Sequence, residues 1–162
     1  MYPRFVILAL VTLACSSGER ALADEAGPAP APLTVTLDEF RQVQWIAGTW
    51  LGSGGAYPAF YEEYRVVDDS TIQMRAFSDS TLSTSTDSSW IEFRNGSVGK
   101  RGVDRSYVVV ALSPDSVRFA PPGVTTGGHT FRRVSEDEWT ATLHPSSPGG
   151  QVTVYTMRRL RR

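Results

Sequence analysis

A period of two governs the chain after Gly48, and it narrows the choice of fold more than any other feature. The segment 71–77 puts Ile72, Met74 and Ala76 on one face and Gln73 and Arg75 on the other. The segment 89–94 sets Ile91 and Phe93 against Trp90, Glu92 and Arg94. Such alternation belongs to a β-strand, whose successive side chains point to opposite faces. About nine segments read as strands: 49–53, 59–67, 71–77, 89–94, 106–112, 116–120, 130–134, 138–143 and 151–160. Turn residues punctuate them at Asp68-Asp69-Ser70, Asn95-Gly96, Ser113-Pro114-Asp115 and Gly149-Gly150. No amphipathic helix lies between them, which argues against a parallel sheet built from crossover units. The expected fold is all-β: a single antiparallel up-and-down barrel of about 8–10 strands, closed so that no edge is left exposed.

One helix precedes the strands. Thr36-Leu37-Asp38-Glu39 has the form of a capping box, and Leu37, Phe40, Val43, Gln44 and Ala47 follow at helical spacing. A short helix over 37–46, ended by Gly48, is predicted. The Ser/Thr/Asp-rich run 78–89 reads as a solvated loop, and 121–128 as another.

The N-terminus reads as an address. Arg4 precedes an apolar run over 5–14, which matches a signal-peptide core and is too short to span a bilayer. Ala21-Leu22-Ala23 suits cleavage before Asp24. Thr12-Leu13-Ala14-Cys15 suits a lipobox instead, with Cys15 lipidated. Both readings stand, and both predict export, to the periplasm or as a membrane-anchored bacterial lipoprotein. The expected layout is a signal peptide over 1–23 (or 1–14), an Ala/Pro-rich spacer over 24–35 and a barrel domain over 36–162.

Composition removes several classes of function. The 162 residues carry a net charge of −1, which gives no basic face for nucleic acid. One cysteine excludes a disulfide framework and a cysteine-based zinc site. No phosphate-binding glycine loop and no Gly-x-Ser-x-Gly elbow is present. All cations except Lys100 and the histidines are arginines.

The segment Phe40 to Tyr64, with Gly48-Thr49-Trp50 leading into the first strand, resembles the opening of a lipocalin-like, calycin-type barrel. Its continuation through Gly52, Gly54, Tyr57-Pro58 and Glu62-Glu63 is similar to the haem-binding nitrobindins. The later strands, with Phe131, Trp139 and Tyr155, resemble an uncharacterised bacterial lipocalin-like family. The lipocalin resemblance implies structural roles for Gly48 and Trp50, with Arg158 or Arg159 stacked on the indole. The nitrobindin resemblance implies haem held by a histidine. Only His129 and His144 are available, neither lies in the last strand, and His144 is the candidate axial ligand.

Side chains for an interior pocket are read from alternation: Tyr64, Met74, Phe93, Phe119, Phe131 and Trp139, with Val110 and Val154 beside them. The same residues would serve equally as core filling. Glu62 and Glu63 point to opposite faces, so one of them faces inward and they cannot form a dyad. Arg75 and Arg94 are expected to face solvent. The function these readings imply is non-catalytic binding of a small apolar or amphipathic molecule, with no catalytic residues and no metal. The alternatives are a haem-binding enzyme acting on reactive nitrogen species, which the nitrobindin resemblance implies with haem as cofactor, and a structural envelope protein without a ligand. A lipid on Cys15 would be the only membrane contact.

Overall fold

The structure is a computed structural model and describes residues 28–55, 57–102 and 106–161. The signal, cleavage and Cys15 readings lie outside the described residues. Ten strands run in sequence: β1 (Gly48–Gly54), β2 (Phe60–Asp68), β3 (Thr71–Phe77), β4 (Ser85–Arg94), β5 (Ser97–Arg101), β6 (Ser106–Ser113), β7 (Ser116–Ala120), β8 (His129–Arg133), β9 (Glu138–Leu143) and β10 (Thr153–Arg159). Each pairs antiparallel with its sequence neighbours, and β1 pairs with β10 to close the barrel. This is the all-β, up-and-down barrel that the alternation predicts.

Two strand readings need correction. β5 has no counterpart among the nine predicted segments, because Ser97-Val98-Gly99-Lys100-Arg101 offers one apolar residue in five. The expected loop over 78–89 ends at residue 84, and β4 begins at Ser85. In both places polar side chains occupy inward positions, so apolar alternation is missing although the backbone pairs in the sheet, with a register shift that skips Thr86.

The helix forms as two pieces, an α-helical turn α1 (Leu37–Arg41) and a 3₁₀ turn (Gln42–Ile46). Thr36 caps it: Glu39 N–H donates to Thr36 Oγ1 at 3.2 Å, and Thr36 N–H donates to Glu39 Oε2 at 2.7 Å. Phe40, Val43 and Ile46 are buried, so the helix lies with its apolar side on the barrel interior. The end of the spacer docks as well. Leu33 N–H donates to Val109 O and Val35 N–H to Gly96 O, both at 2.8 Å.

The chain therefore has one closed end. There the strands are joined by tight turns, including a type I′ hairpin in which Asn95 and Gly96 have φ of 49° and 77°. Trp50 sits at its centre, 1% exposed. Its indole N–H donates to Ile46 O at 2.7 Å, and Arg159 stacks on it at 4.2 Å. Arg159 also donates to Ala47 O and Glu136 O, so its guanidinium ties β10 to the helix end and to the β8–β9 turn. Arg158 points outward and pairs with Glu138 at 3.3 Å. A Cβ at Gly48, where φ is +134°, would lie 2.2 Å from Arg159 Nη1. Glycine at this position is what allows the guanidinium to reach the indole.

Candidate functional site

The opposite end has longer connections and a different interior. β1 and β2 meet there through 55–59, β3 and β4 through 78–84, β7 and β8 through 121–128, and β9 and β10 through 144–152. Below these loops lies a cavity of about 150 Å³, lined by Phe60, Glu62, Tyr64, Lys100, His129, Phe131, Ala141, Leu143, Tyr155 and Met157. A shallower hollow of about 310 Å³ lies at the same rim, among Ser106, Tyr107, Pro121, Val124, Thr126, Gly128 and Ser146. Its described lining has no carboxylate, lysine or histidine, so the charged chemistry belongs to the smaller cavity.

Strict alternation puts the polar groups inside. Tyr64 faces inward on β2, and so does Glu62 two residues before it. Tyr64 Oη donates to the Glu62 carboxylate at 2.8 Å. Phe131 faces inward on β8, and so does His129, which is 5% exposed. Val98 is buried on β5, and Lys100 follows it on the same face with its ammonium 5.3 Å from the Phe131 ring centroid. Asp87 of β4 lies opposite Ala76, whose other neighbour is Glu62, so it belongs to the same layer nearer the rim.

The aromatic wall is made possible by a missing side chain. Gly52 of β1 is buried, and a Cβ there would lie 2.3 Å from Cζ of Phe60. The Phe60 ring occupies that space and meets Tyr155 edge-on at 5.2 Å.

Burial sets the charges in this layer. It pushes the Glu62 carboxyl up, and the positive charge of Lys100 and the Tyr64 hydrogen bond only partly oppose this. Burial pushes the Lys100 ammonium down, against the attraction of Glu62 and Asp87. It raises the Tyr64 phenol well above its ordinary value, so the hydroxyl stays a donor. His129 falls to about 2, chiefly through burial and then through the charge of Lys100. The ring is therefore neutral at physiological pH. It stacks on Phe119 at 4.9 Å and meets Tyr107 edge-on at 4.9 Å. Its Nε2 is buried with no hydrogen-bonding partner among the described residues.

The side chains expected to line a pocket divide in two. Tyr64 and Phe131 line the cavity. Met74, Phe93, Phe119 and Trp139 do not: they fill the core, Phe93 against Phe40 at 6.1 Å and Trp139 against Trp45, Trp50 and Tyr64 at about 6 Å. Val154 faces solvent at 48% exposure, because the inward residues of β10 are Tyr155 and Met157. On β6 the buried residue is Val109 rather than Val110, and a bulge after it shifts the alternation. Arg75 and Arg94 face outward, paired with Glu63 and Glu92.

His144 is not brought to the cavity. Its Nε2 lies 2.8 Å from Thr130 Oγ1, and Thr130 alternates with inward His129 and Phe131, which sets the His144 ring on the outer face. A space of about 150 Å³ is also below the roughly 300–1,000 Å³ of pockets that take drug-sized ligands. Haem is at least that large, so the residues present do not fit it. Among the described residues, no three His, Cys, Asp or Glu side chains are grouped to hold a metal ion.

Fold and cavity define a class: a closed ten-stranded antiparallel barrel, plugged at one end and carrying a small aromatic and polar chamber at the other. No family model and no curated protein matches the chain. Among solved structures it is similar to a protein of unknown function from the DUF3598 family of Nostoc punctiforme, with 12% identity and a TM-score of 0.48 over 81% of this chain. The match covers 51% of that protein, so this chain spans about half its length. It is also similar to a redesigned β-barrel, with 13% identity and a TM-score of 0.39 over 75% of this chain and 96% of that one.

Proposed function

We propose that the protein binds a small amphipathic molecule in the mouth of its barrel, without catalysis, as an exported lipocalin-like protein. The observation that carries this reading is the cavity itself. Phe60, Phe131 and Tyr155 provide an apolar wall, while Glu62, Lys100 and His129 converge on the same space from three strands. A barrel selected only for stability would fill this layer with apolar side chains, as the closed end does around Trp50. Buried polar groups cost free energy unless they are satisfied, and a ligand's polar end would satisfy them. The volume restricts the ligand to a single ring or a short chain. The apolar segment over 5–14 supports export, and Cys15 supports a lipid anchor as the alternative to cleavage after Ala23.

The test is a native mass spectrum of the protein purified without detergent, paired with thermal melts against a panel of single-ring and short-chain amphiphiles. A ligand at 100 times its Kd raises stability by about 2.7 kcal/mol, which a melt resolves. A stoichiometric small-molecule adduct, or a saturable upshift abolished by filling the chamber with Ala141→Leu, supports binding. A bare mass together with no shift from any panel member overturns it.

A further inference from the structure

Lys100 is the only lysine in the chain, and all fifteen arginines are unsuited to act as amine nucleophiles. Among the described residues it is also the one cation on the wall of the mouth cavity. Seven arginines form ion pairs on the outer surface or at the closed end, yet Lys100 has no carboxylate within 4.0 Å among the described residues. Its ammonium rests against the Phe131 ring instead. An unpaired lysine in an aromatic chamber is poorly explained as a stabilising group.

The charges around it select the ligand. Glu62 and Asp87 both act on Lys100 from the same layer. An anionic ligand would meet Asp87 and carry its charge into the layer where burial already disfavours the Glu62 carboxylate, and a cationic one would meet the same burial cost that disfavours the Lys100 ammonium. A neutral molecule whose polar end is a carbonyl meets neither penalty, and its apolar body fits Phe60 and Tyr155.

We propose that Lys100 captures a small aldehyde as an imine in the barrel mouth. This rests on the mouth being a binding site. The Lys100 Nζ lone pair attacks the carbonyl carbon, and the carbonyl oxygen takes a proton from the Glu62 carboxyl, giving a carbinolamine. The nitrogen returns a proton to Glu62, which passes it to the hydroxyl; water leaves, and the nitrogen gives its second proton to the Glu62 carboxylate to leave a neutral imine. The balance is one amine and one aldehyde to one imine and one water, with no oxidant or reductant. Burial favours both starting states, the free amine at Lys100 and the protonated carboxyl at Glu62, and such desolvation is a known way of activating a lysine nucleophile. Tyr64 Oη holds Glu62 in place through its 2.8 Å hydrogen bond.

The full chain would be incubated with hexanal or benzaldehyde and sodium cyanoborohydride, then read by intact mass and peptide mapping. The expected result is a gain of one aldehyde less one oxygen atom, located on Lys100, in folded protein and lost in urea. Lys100→Met and Lys100→Arg would both lose it, the first by an apolar side chain of similar length and the second by a polar one that is not an amine nucleophile. Any label on the N-terminal amine survives in both variants and serves as the background. Melts with 1-hexanol and benzyl alcohol, which cannot form imines, separate the two readings. Alcohol binding without label on Lys100 overturns the capture proposal and leaves the binding site standing. Failure of both alcohols and aldehydes overturns both. Lys100-dependent binding of hexanoate in place of aldehyde labelling would overturn capture in favour of an ion pair.

Discussion

The two ends of the barrel are built from the same ten strands and serve opposite purposes. At the closed end every inward position is apolar or, in Arg159, fully engaged with an indole and backbone carbonyls. Connections are tight and a capped helix seals the floor. At the mouth the connections lengthen, and Glu62, Lys100 and His129 converge on one cavity with no bond among the three, while Asp87 lies exposed at the rim. The difference shows where stability and binding have been separated along one axis. Mutations at the floor should therefore cost stability and leave the chamber's chemistry alone, while mutations at the mouth should do the reverse.

The largest expected effect is at the floor. Trp50→Ala removes a buried indole and its contacts with Trp139 and Arg159, and a loss of about 3–5 kcal/mol is expected in urea unfolding. Arg159→Ala should follow at about 2 kcal/mol, since it loses the cation–π contact and its charge-assisted bonds to Ala47 O and Glu136 O. Arg159→Lys should recover little of that, because an ammonium cannot stack and reach both carbonyls together. If Arg159→Lys were as stable as the parent, the planar contact would not be what seals the floor.

The same contrast explains how much could be read from the sequence. The closed end was legible because its inward residues are apolar: Trp50, Ile72, Ile91 and Met157 declare their face by alternation, and the Thr36–Glu39 box and Asn95-Gly96 turn carry their own local signals. The mouth was not, because there the inward residues are polar. Ser85 to Ser89 looked like loop, and Ser97 to Arg101 showed no pattern at all, although both are paired strands. Alternation carried one step further would have found part of the site. With Tyr64 and Phe131 taken as inward, Glu62 and His129 must be inward too. Lys100 needed the hairpin register from Asn95-Gly96 as well, and the 150 Å³ left open depends on packing that no pattern encodes. Local rules fail where function has set them aside.

His129 gives the next effect in size, and it tests whether the mouth works against stability. The unfolded imidazole takes up a proton below about pH 6.5, while the folded one does so only near about 2. In that window the unfolded state binds more protons, so stability falls as pH falls, by up to about 1.4 kcal/mol per unit. Lys100, His144 and Arg118 add their charges to the effect of burial. Glu62 acts with the opposite sign: its raised value gives stability present below about 4.5 and lost as pH rises through the folded value. The clean measurement is therefore the difference between parent and His129→Phe in urea unfolding from pH 7 to 5. The parent should lose more than the variant. Equal slopes would mean that the buried ring is protonated in the fold.

The smallest expected effect has the most informative sign. Lys100→Met keeps the length of the side chain and removes a cation that lies in the chamber without an ion-pair partner among the described residues. Replacing poorly paired interior charge by an apolar group of similar volume is often neutral or stabilising. Glu62 and Asp87 lose a favourable charge in the variant, which limits the gain, so an increase of about 1 kcal/mol in urea unfolding is expected. Binding of amphiphiles in the mouth should weaken in the same protein. A gain in stability with a loss of binding is what a site built at the expense of packing predicts. If Lys100→Met were instead destabilised as strongly as Trp50→Ala, Lys100 would be holding the mouth together through Glu62 and Asp87. The two ends of the barrel would then differ in chemistry but not in purpose.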